Sequence, residues 1–503
     1  MIAAALLLLQ WLTYSGDDRG TRHSPLAQIT PANVRGLRGV WTFQTGVLGK
    51  WEATPLVADD IVYTSGPDNH VWAIDGRTGR AIWHYTRTLP AAIKPCCGRV
   101  NRGLALYRGK LLMISLDAHL VAIDAKSGGL VYDVEVDDYR KGYTGTAAPL
   151  VVKDKVIVGI AGAEFGVRGF LDAYDADTGK RAWRFWTVPE PGQPGSETWP
   201  GQSWEHGGGP TWVTGTYDRD LNLVYWGTGN PSPLYFGDGR RGDNLYTNSL
   251  LAIDPDTGDL RWHYQFTPHD VHDWDSSHVP ILADLPIGGA PRKVVMVANR
   301  NGFFYALDRT NGKLLVSRAF VKQTWAKEIG SDGRPVTLPE SAPSAAGTTT
   351  CPDLFGATNF MSPSFDPAAR LFFVTAREAC GIFFTRDQPF VEGQRYDGGS
   401  MRFTGDSYGA VRALDPLTGE RAWEFRTARP SMAGILSTAS GLVFSGDMDG
   451  HVFALDARNG GSLWRYQMGA PVYSAPIACT IDGRQHILIG AGATLTAFSL
   501  PEP

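Results

Sequence analysis

Apolar and polar positions alternate in blocks along this chain, and the blocks repeat. A short apolar run ends in Ala-x-Asp, a polar turn closes on Gly, and a second run ends in an aromatic residue. Ala73-Ile74-Asp75-Gly76-Arg77-Thr78-Gly79-Arg80-Ala81-Ile82-Trp83 is one complete copy. Further copies begin at Ala122, Ala173, Ala252, Ala306, Ala413 and Ala454. Tyr132, Trp183, Trp262, Val316, Trp423 and Trp464 stand at the position of Trp83. Each copy reads as two strands around a turn in which the Asp accepts hydrogen bonds and the Gly supplies positive φ. The closest starts are 41 and 49 residues apart, the size of one four-stranded propeller blade. Gaps of 79 residues before Ala252 and 107 before Ala413 leave room for functional loops.

The ends of the chain supply an eighth unit. Val40-Trp41-Thr42-Phe43 is a Trp-bearing strand without its partner, and Leu495-Thr496-Ala497-Phe498-Ser499-Leu500 is the strand before a missing turn. Joining them closes the ring and removes exposed edges. The expectation is therefore an all-β chain: one eight-bladed β-propeller domain over residues 11–503, with Trp-docking repeats, closed by N- and C-terminal strands. Residues 1–10, with the apolar run Met1–Leu9, read as the remnant of a secretion signal, although no Lys or Arg precedes the run and no small-x-small cleavage site follows. The run is too short to span a bilayer.

Composition narrows the class. Gly 59, Pro 32 and Trp 16 imply many tight turns and aromatic anchors, as an all-β protein needs. With a net charge of −4 and no Lys/Arg cluster, neither nucleic acid nor an anionic membrane is expected as a partner. Five cysteines fit an exported protein. They can pair as Cys96–Cys97 and Cys351–Cys380, leaving Cys479 over.

Candidate chemistry lies outside the repeat. Cys96 and Cys97 are adjacent in Lys94-Pro95-Cys96-Cys97-Gly98-Arg99-Val100-Asn101-Arg102-Gly103. A disulfide between neighbours departs from ordinary bridge geometry and persists where its surroundings hold it, mostly at functional sites; two unrelated thiols in a loop is the alternative. Glu52, Glu164 in Gly162-Ala163-Glu164-Phe165-Gly166-Val167-Arg168-Gly169, Trp212, Asn230 in Gly227-Thr228-Gly229-Asn230-Pro231 and Asp273 in His269-Asp270-Val271-His272-Asp273-Trp274-Asp275 stand outside it as well. His269 and His272 with their flanking acids could be read as zinc ligands, but no second ligand pair accompanies them.

Taken in order, these segments resemble the quinoprotein alcohol dehydrogenases, eight-bladed propeller enzymes that use pyrroloquinoline quinone (PQQ). The resemblance runs from about Trp11 to the C-terminus. It implies that PQQ is covered on one face by a Cys96–Cys97 disulfide and on the other by Trp212. It implies rim contacts from Glu52, Arg102, Thr146 and Arg300, with Asn359 as a further cofactor contact, and a structural Cys351–Cys380 bridge. Glu164 and Asn230 become metal ligands, oxygen donors suited to a hard cation. Asp273 becomes the general base that takes the alcohol proton while hydride passes to the quinone, and Arg300 supports charge on the quinone oxygen. Asp275 matches the aspartate of lanthanide-dependent relatives, where calcium enzymes carry a small uncharged residue. With Glu164, Asp273 and Asp275 around one ion, a trivalent lanthanide is favoured over Ca2+.

The implied function is periplasmic oxidation of a primary alcohol or aldehyde. Electrons pass to a separate cytochrome c, because no Cys-x-x-Cys-His occurs in the chain. The protein is not expected to be integral to the membrane, and a homodimer is compatible with this reading. A PQQ-dependent sugar or polyol dehydrogenase and a non-enzymatic propeller scaffold are the alternatives. Three departures bear on the pocket: Ala161 replaces Ser, His272 replaces Trp, and Met432 stands near a usual Trp. His272 is expected to make the substrate pocket more polar.

Overall fold

The computed structural model describes residues 10–502. The apolar opening read as a signal remnant lies outside them, apart from Gln10. Helical geometry is confined to short 3-10 turns, and the described residues form eight sheets of four or five strands plus one two-stranded sheet, Ala326–Ile329 with Pro335–Thr337. Leu56–Ala58, Ile61–Ser65, His70–Asp75 and Ala81–Thr86 form a representative sheet, antiparallel and in chain order. Its third strand buries Val71 to Ile74, whereas its fourth alternates between exposed and half-buried positions. That is the pattern of a sheet packed on both faces through its middle and wet along its outer edge. Arg38–Gln44 pairs antiparallel with Thr494–Ser499, so the two ends of the chain share a sheet.

The repeat explains how neighbouring sheets dock. Asp75 accepts backbone hydrogen bonds from Arg77 and Thr78, and Gly79 closes the turn at φ +71°. A Cβ on Gly79 would lie 2.8 Å from the ring of Trp41, which belongs to another sheet, so glycine is required for both backbone and contact. The Trp41 indole N–H donates to Gly76 O at 2.6 Å. Trp83, Trp183, Trp262, Trp423 and Trp464 make the same bond, to Ala125, Pro255, Arg309, Ala457 and Leu37. Each indole is thus a packed plate with its one donor satisfied. Where Tyr132 replaces Trp, its hydroxyl donates to Ala176 O; at the Val316 copy, Arg318 packs on Gly419 instead.

The long gaps hold the irregular parts. Between the strands Leu371–Thr385 and Gly399–Leu414, residues 386–398 reach over so that Tyr396 N–H donates to Glu164 O at 2.7 Å. The first described residues run across several sheets: Trp11 pairs with Val57, and the backbone O atoms of Asp18, Arg19 and Thr21 accept from Tyr217, Leu282 and Phe365. Arg22 is fully buried, its guanidinium donating to the carbonyls of Tyr14, Ile435 and Pro476. Tyr14 packs with Val213, Phe360 and Trp212, forming a floor under the site described next. Cys96 and Cys97 are bonded, as are Cys351 and Cys380; Cys479 is buried and free.

Candidate active site

One cavity, about 800 Å³ counting its mouth, gathers the residues singled out in the sequence. Glu52, Cys96, Cys97, Arg102, Thr146, Glu164, Trp212, Asn230, Asp273, Asp275, Arg300 and Asn359 all line it. They come from loops that join different sheets, so only the fold brings them together.

Backbone bonds between adjacent loops build one wall. Thr54 N–H donates to Arg102 O and Arg102 N–H to Thr146 O, each at 3.0 Å. Asn101 pins this corner: its side chain accepts from Ser65 Oγ and Gly103 N and donates to Ile114 O. Arg102 is thereby aimed inward, 2.8 Å from Glu52 Oε2 and donating to Thr146 Oγ1 at 2.8 Å. Its guanidinium lies 4.6 Å from the Trp212 ring centroid, within cation–π range. Burial pushes the Glu52 carboxyl up, against the opposing pull of Arg102.

The opposite chemistry, carboxylates with few cations, lies around Asp273. Asp270 shapes this loop, its carboxylate accepting from His272 N at 3.0 Å and Trp274 N at 2.8 Å. Asn248 holds the same turn by donating to Trp274 O at 2.7 Å. Between the bracketed residues Asp273 sits at φ +64°, uncommon for a residue with a Cβ. Its buried carboxylate lies 4.0 Å from the Arg300 guanidinium. Burial raises the Asp273 pKa well above the usual carboxylate range; Arg300 opposes this, and Asp275 and Glu164 add to it. Asp275 pairs with Arg300 and accepts from Asn230 N at 2.8 Å. Gly229 makes that approach possible, since a Cβ there would meet Asp275 Oδ1 at 2.0 Å. Glu164, with its pKa pushed up to about 7 chiefly by burial, lies 3.4 Å from Cys97 Sγ. Cys96 Sγ, Cys97 Sγ and a Glu164 carboxylate oxygen lie within 4.8 Å of one another, but the two sulfurs are bonded to each other and so are not thiolate ligands; the Glu164, Asp273 and Asp275 carboxylates are more widely spaced.

One expectation changes. His272 does not line the cavity: its ring stacks on Trp274 at 4.2 Å and its Nε2 meets Ser341 O at 2.9 Å, so it contributes no polarity to the pocket. Asn359 lines the cavity with both polar ends engaged locally, donating to Phe355 O and accepting from Phe360 N. Lys50, Phe355 and Phe360 also line it and were not singled out in the sequence. They carry no motif, and only the 107-residue gap pointed to a functional loop around Phe355.

The cavity wall suits a flat anion. Arg102 Nε and Arg300 Nε are buried with no hydrogen-bond partner among the described residues, which is unusual for donors of this kind. Trp212 and the Cys96–Cys97 pair offer non-polar faces, and Glu164 and Asn230 offer oxygen donors.

Comparison with known proteins agrees. The family model for the glucose/ethanol/alcohol dehydrogenase β-propeller domain matches residues 11–321. The model for outer membrane protein assembly factor BamB matches 407–500, where the repeat is regular. A quinohemoprotein alcohol dehydrogenase, ADH IIB of Pseudomonas putida, is 41% identical over 97% of this chain and 74% of its own length. A lanthanide-dependent methanol dehydrogenase of Methylacidiphilum fumariolicum is 38% identical over 96% and 84%. Among solved structures, a europium-containing methanol dehydrogenase superposes with TM-score 0.94 at 34% identity, covering 99% of both chains. A BamB structure from Moraxella catarrhalis, 15% identical with TM-score 0.51, shares the fold alone. Sequence, superposition and the convergence of scattered motifs on one cavity lead to the same place: this chain belongs to the PQQ-dependent alcohol dehydrogenase family and is an alcohol oxidoreductase.

Proposed function

We propose that the chain is a single eight-bladed propeller domain, its ring closed where Arg38–Gln44 meets Thr494–Ser499, and that it oxidises a primary alcohol or aldehyde in the periplasm. Among the described residues no helix is long and apolar enough to cross a membrane. Electrons leave to a separate cytochrome c. The observation that carries the proposal is that twelve residues named from separated segments line one cavity.

PQQ, when bound, supplies the hydride acceptor, and a cation beside it supplies Lewis acidity. The chain's own residues do the rest. Trp212 and the Cys96–Cys97 bridge would cover the cofactor's faces and exclude water, while Arg102, Glu52 and Thr146 would hold its rim. Glu164 and Asn230 would hold the cation. Asp273 takes the hydroxyl proton of the alcohol; its raised pKa makes it a stronger base once ionised. Arg300 orients Asp273 and Asp275 and offers a positive charge to a developing oxyanion. Asp275 adds a third negative charge near the ion and so favours a lanthanide over calcium.

Reconstitution of metal-free protein with PQQ and either Ca2+ or La3+, followed by a dye-linked assay over an alcohol panel, tests this. Turnover with La3+ exceeding that with Ca2+ is expected. Turnover with calcium alone removes the lanthanide assignment, and inactivity with every combination removes alcohol oxidation.

A further inference from the structure

Away from the active-site cavity, two imidazoles meet on one face of the sheet that runs from Leu56–Ala58 to Ala81–Thr86. In its register His70 lies opposite Thr86 and Trp72 opposite His84, so these four side chains share that face. His70 Nδ1 is 2.8 Å from His84 Nε2, and Thr86 Oγ1 is 3.3 Å from each of the two nitrogens. The buried Trp72 indole lies within 11° of parallel to both imidazoles, with centroids 5.5 Å and 5.0 Å away. It holds the two rings in one orientation. None of these residues lines the active-site cavity.

The same diagonal recurs in other sheets with different chemistry. His119 Nδ1 meets Asp133 Oδ1 at 2.7 Å, and Arg465 Nη2 lies 2.7 Å from His451 Nδ1. Each of those pairs includes a group that is charged at neutral pH, whereas His70 faces a second imidazole. Burial lowers the pKa of both rings; Asp68 opposes the shift at His70, and His70 adds to it at His84. The Asp68 carboxylate is itself taken by Arg99. Two neutral imidazoles share one hydrogen across the 2.8 Å gap. Moving that hydrogen to the far nitrogen of its ring leaves two lone pairs at the gap, ready for a cation.

We propose that His70 and His84 form a binding site for a divalent transition-metal ion, with the Thr86 hydroxyl as an axial ligand and Cu2+ as the preferred ion. With metal–nitrogen bonds of about 2.0 Å, neighbouring nitrogens lie about 2.8 Å apart in a square plane and about 3.3 Å apart in a tetrahedron. The separation here is 2.8 Å, that of the square plane. A hydroxyl 3.3 Å from both nitrogens then stands about 2.6 Å above the ion, a long axial contact that suits tetragonal Cu2+. His84 is exposed, so its ring is free to turn its lone pair toward the ion, and water completes the coordination on the open side. Imidazole donors disfavour the hard ions Ca2+ and La3+, which sets this site apart from the carboxylates of the cavity. The inference stands whether or not the chain oxidises alcohols.

Full-length protein, stripped of metal with chelator, is titrated with Cu2+ and with Zn2+ by calorimetry, and its Cu2+ form is measured by pulsed electron paramagnetic resonance. His84→Arg is the main variant, because the His451–Arg465 pair shows that arginine is accommodated at this position of a sheet. Expected is a highest-affinity site for one Cu2+ per chain, whose spectrum carries the modulation of two imidazoles. Cu2+ should bind at least about tenfold more tightly than Zn2+. In His84→Arg, Cu2+ affinity should fall at least about tenfold and the two-imidazole signature should disappear. Thr86→Val should keep both imidazoles and lose less affinity than His84→Arg. A wild-type spectrum with fewer than two imidazoles, unchanged Cu2+ affinity in His84→Arg, or tighter binding of Zn2+ than of Cu2+ overturns the assignment.

Discussion

Glu164→Gln in the metal-free protein isolates the cost of holding a carboxylate ready for a cation. Burial, with Asp275 nearby, lifts the Glu164 carboxyl from 4.5 to about 7. A rise of that size corresponds to about 3 kcal/mol, and partial opening to the cavity reduces it to about 2–3 kcal/mol. Because the folded protein holds this proton more tightly than the unfolded chain, the stabilisation is fully present below pH 4.5 and is lost as pH rises through about 7. Glutamine cannot ionise, so the variant escapes that loss. Wild type and Glu164→Gln should therefore be equally stable at pH 4.5 and diverge above it, with the variant more stable at pH 8 by about 2–3 kcal/mol. Across 503 residues that is a Tm difference of about 2–3 °C. Scanning calorimetry in chelator from pH 4.5 to 8.5 reads this directly. Added Ca2+ or La3+ should reverse the order, because wild type, with a carboxylate rather than an amide at position 164, gains more from the ion. A variant less stable than wild type at pH 8 without metal, or an offset that does not change with pH, refutes the reasoning.

Asp273→Asn should retain PQQ, followed by its absorbance, and lose about 10²–10⁴ in kcat; unchanged turnover removes Asp273 as the base. In wild type kcat should fall on acidification, since a raised carboxyl pKa leaves less ionised base at low pH. Asp275→Asn should weaken La3+ binding more than Ca2+ binding in calorimetric titrations; equal losses would show that its charge does not select the ion. Gly229→Ala should lower both Tm and metal affinity, because its Cβ would meet Asp275 Oδ1 at 2.0 Å.

The repeat was legible because one turn carries three local demands: an Asp that accepts two N–H groups, a Gly at positive φ, and an indole docked on that Gly. The site was legible through motifs with unusual chemistry, such as adjacent cysteines and Asp-Trp-Asp. Other parts gave no local signal. Asp270 looks in sequence like a second acid beside Asp273, yet its oxygens are spent on backbone N–H groups that set the loop. His272 reads as a pocket residue and packs away from the cavity. The floor under Trp212 comes from Tyr14, and part of the cavity wall from Lys50 and Phe355, more than 300 residues apart in the chain. Such contacts depend on long-range packing that no local pattern encodes.

In the proposed function, PQQ and a cation share the cavity bounded by Cys96–Cys97, Trp212, Glu164 and Asn230. A crystal structure of the protein reconstituted with PQQ and La3+, with anomalous scattering recorded for the metal, tests it most directly. Expected are one anomalous peak within about 2.6 Å of oxygen atoms of both Glu164 and Asn230, and a quinone ring lying between the sulfur bridge and the indole. A peak at any other ligand set, or a quinone bound outside this cavity, would contradict it.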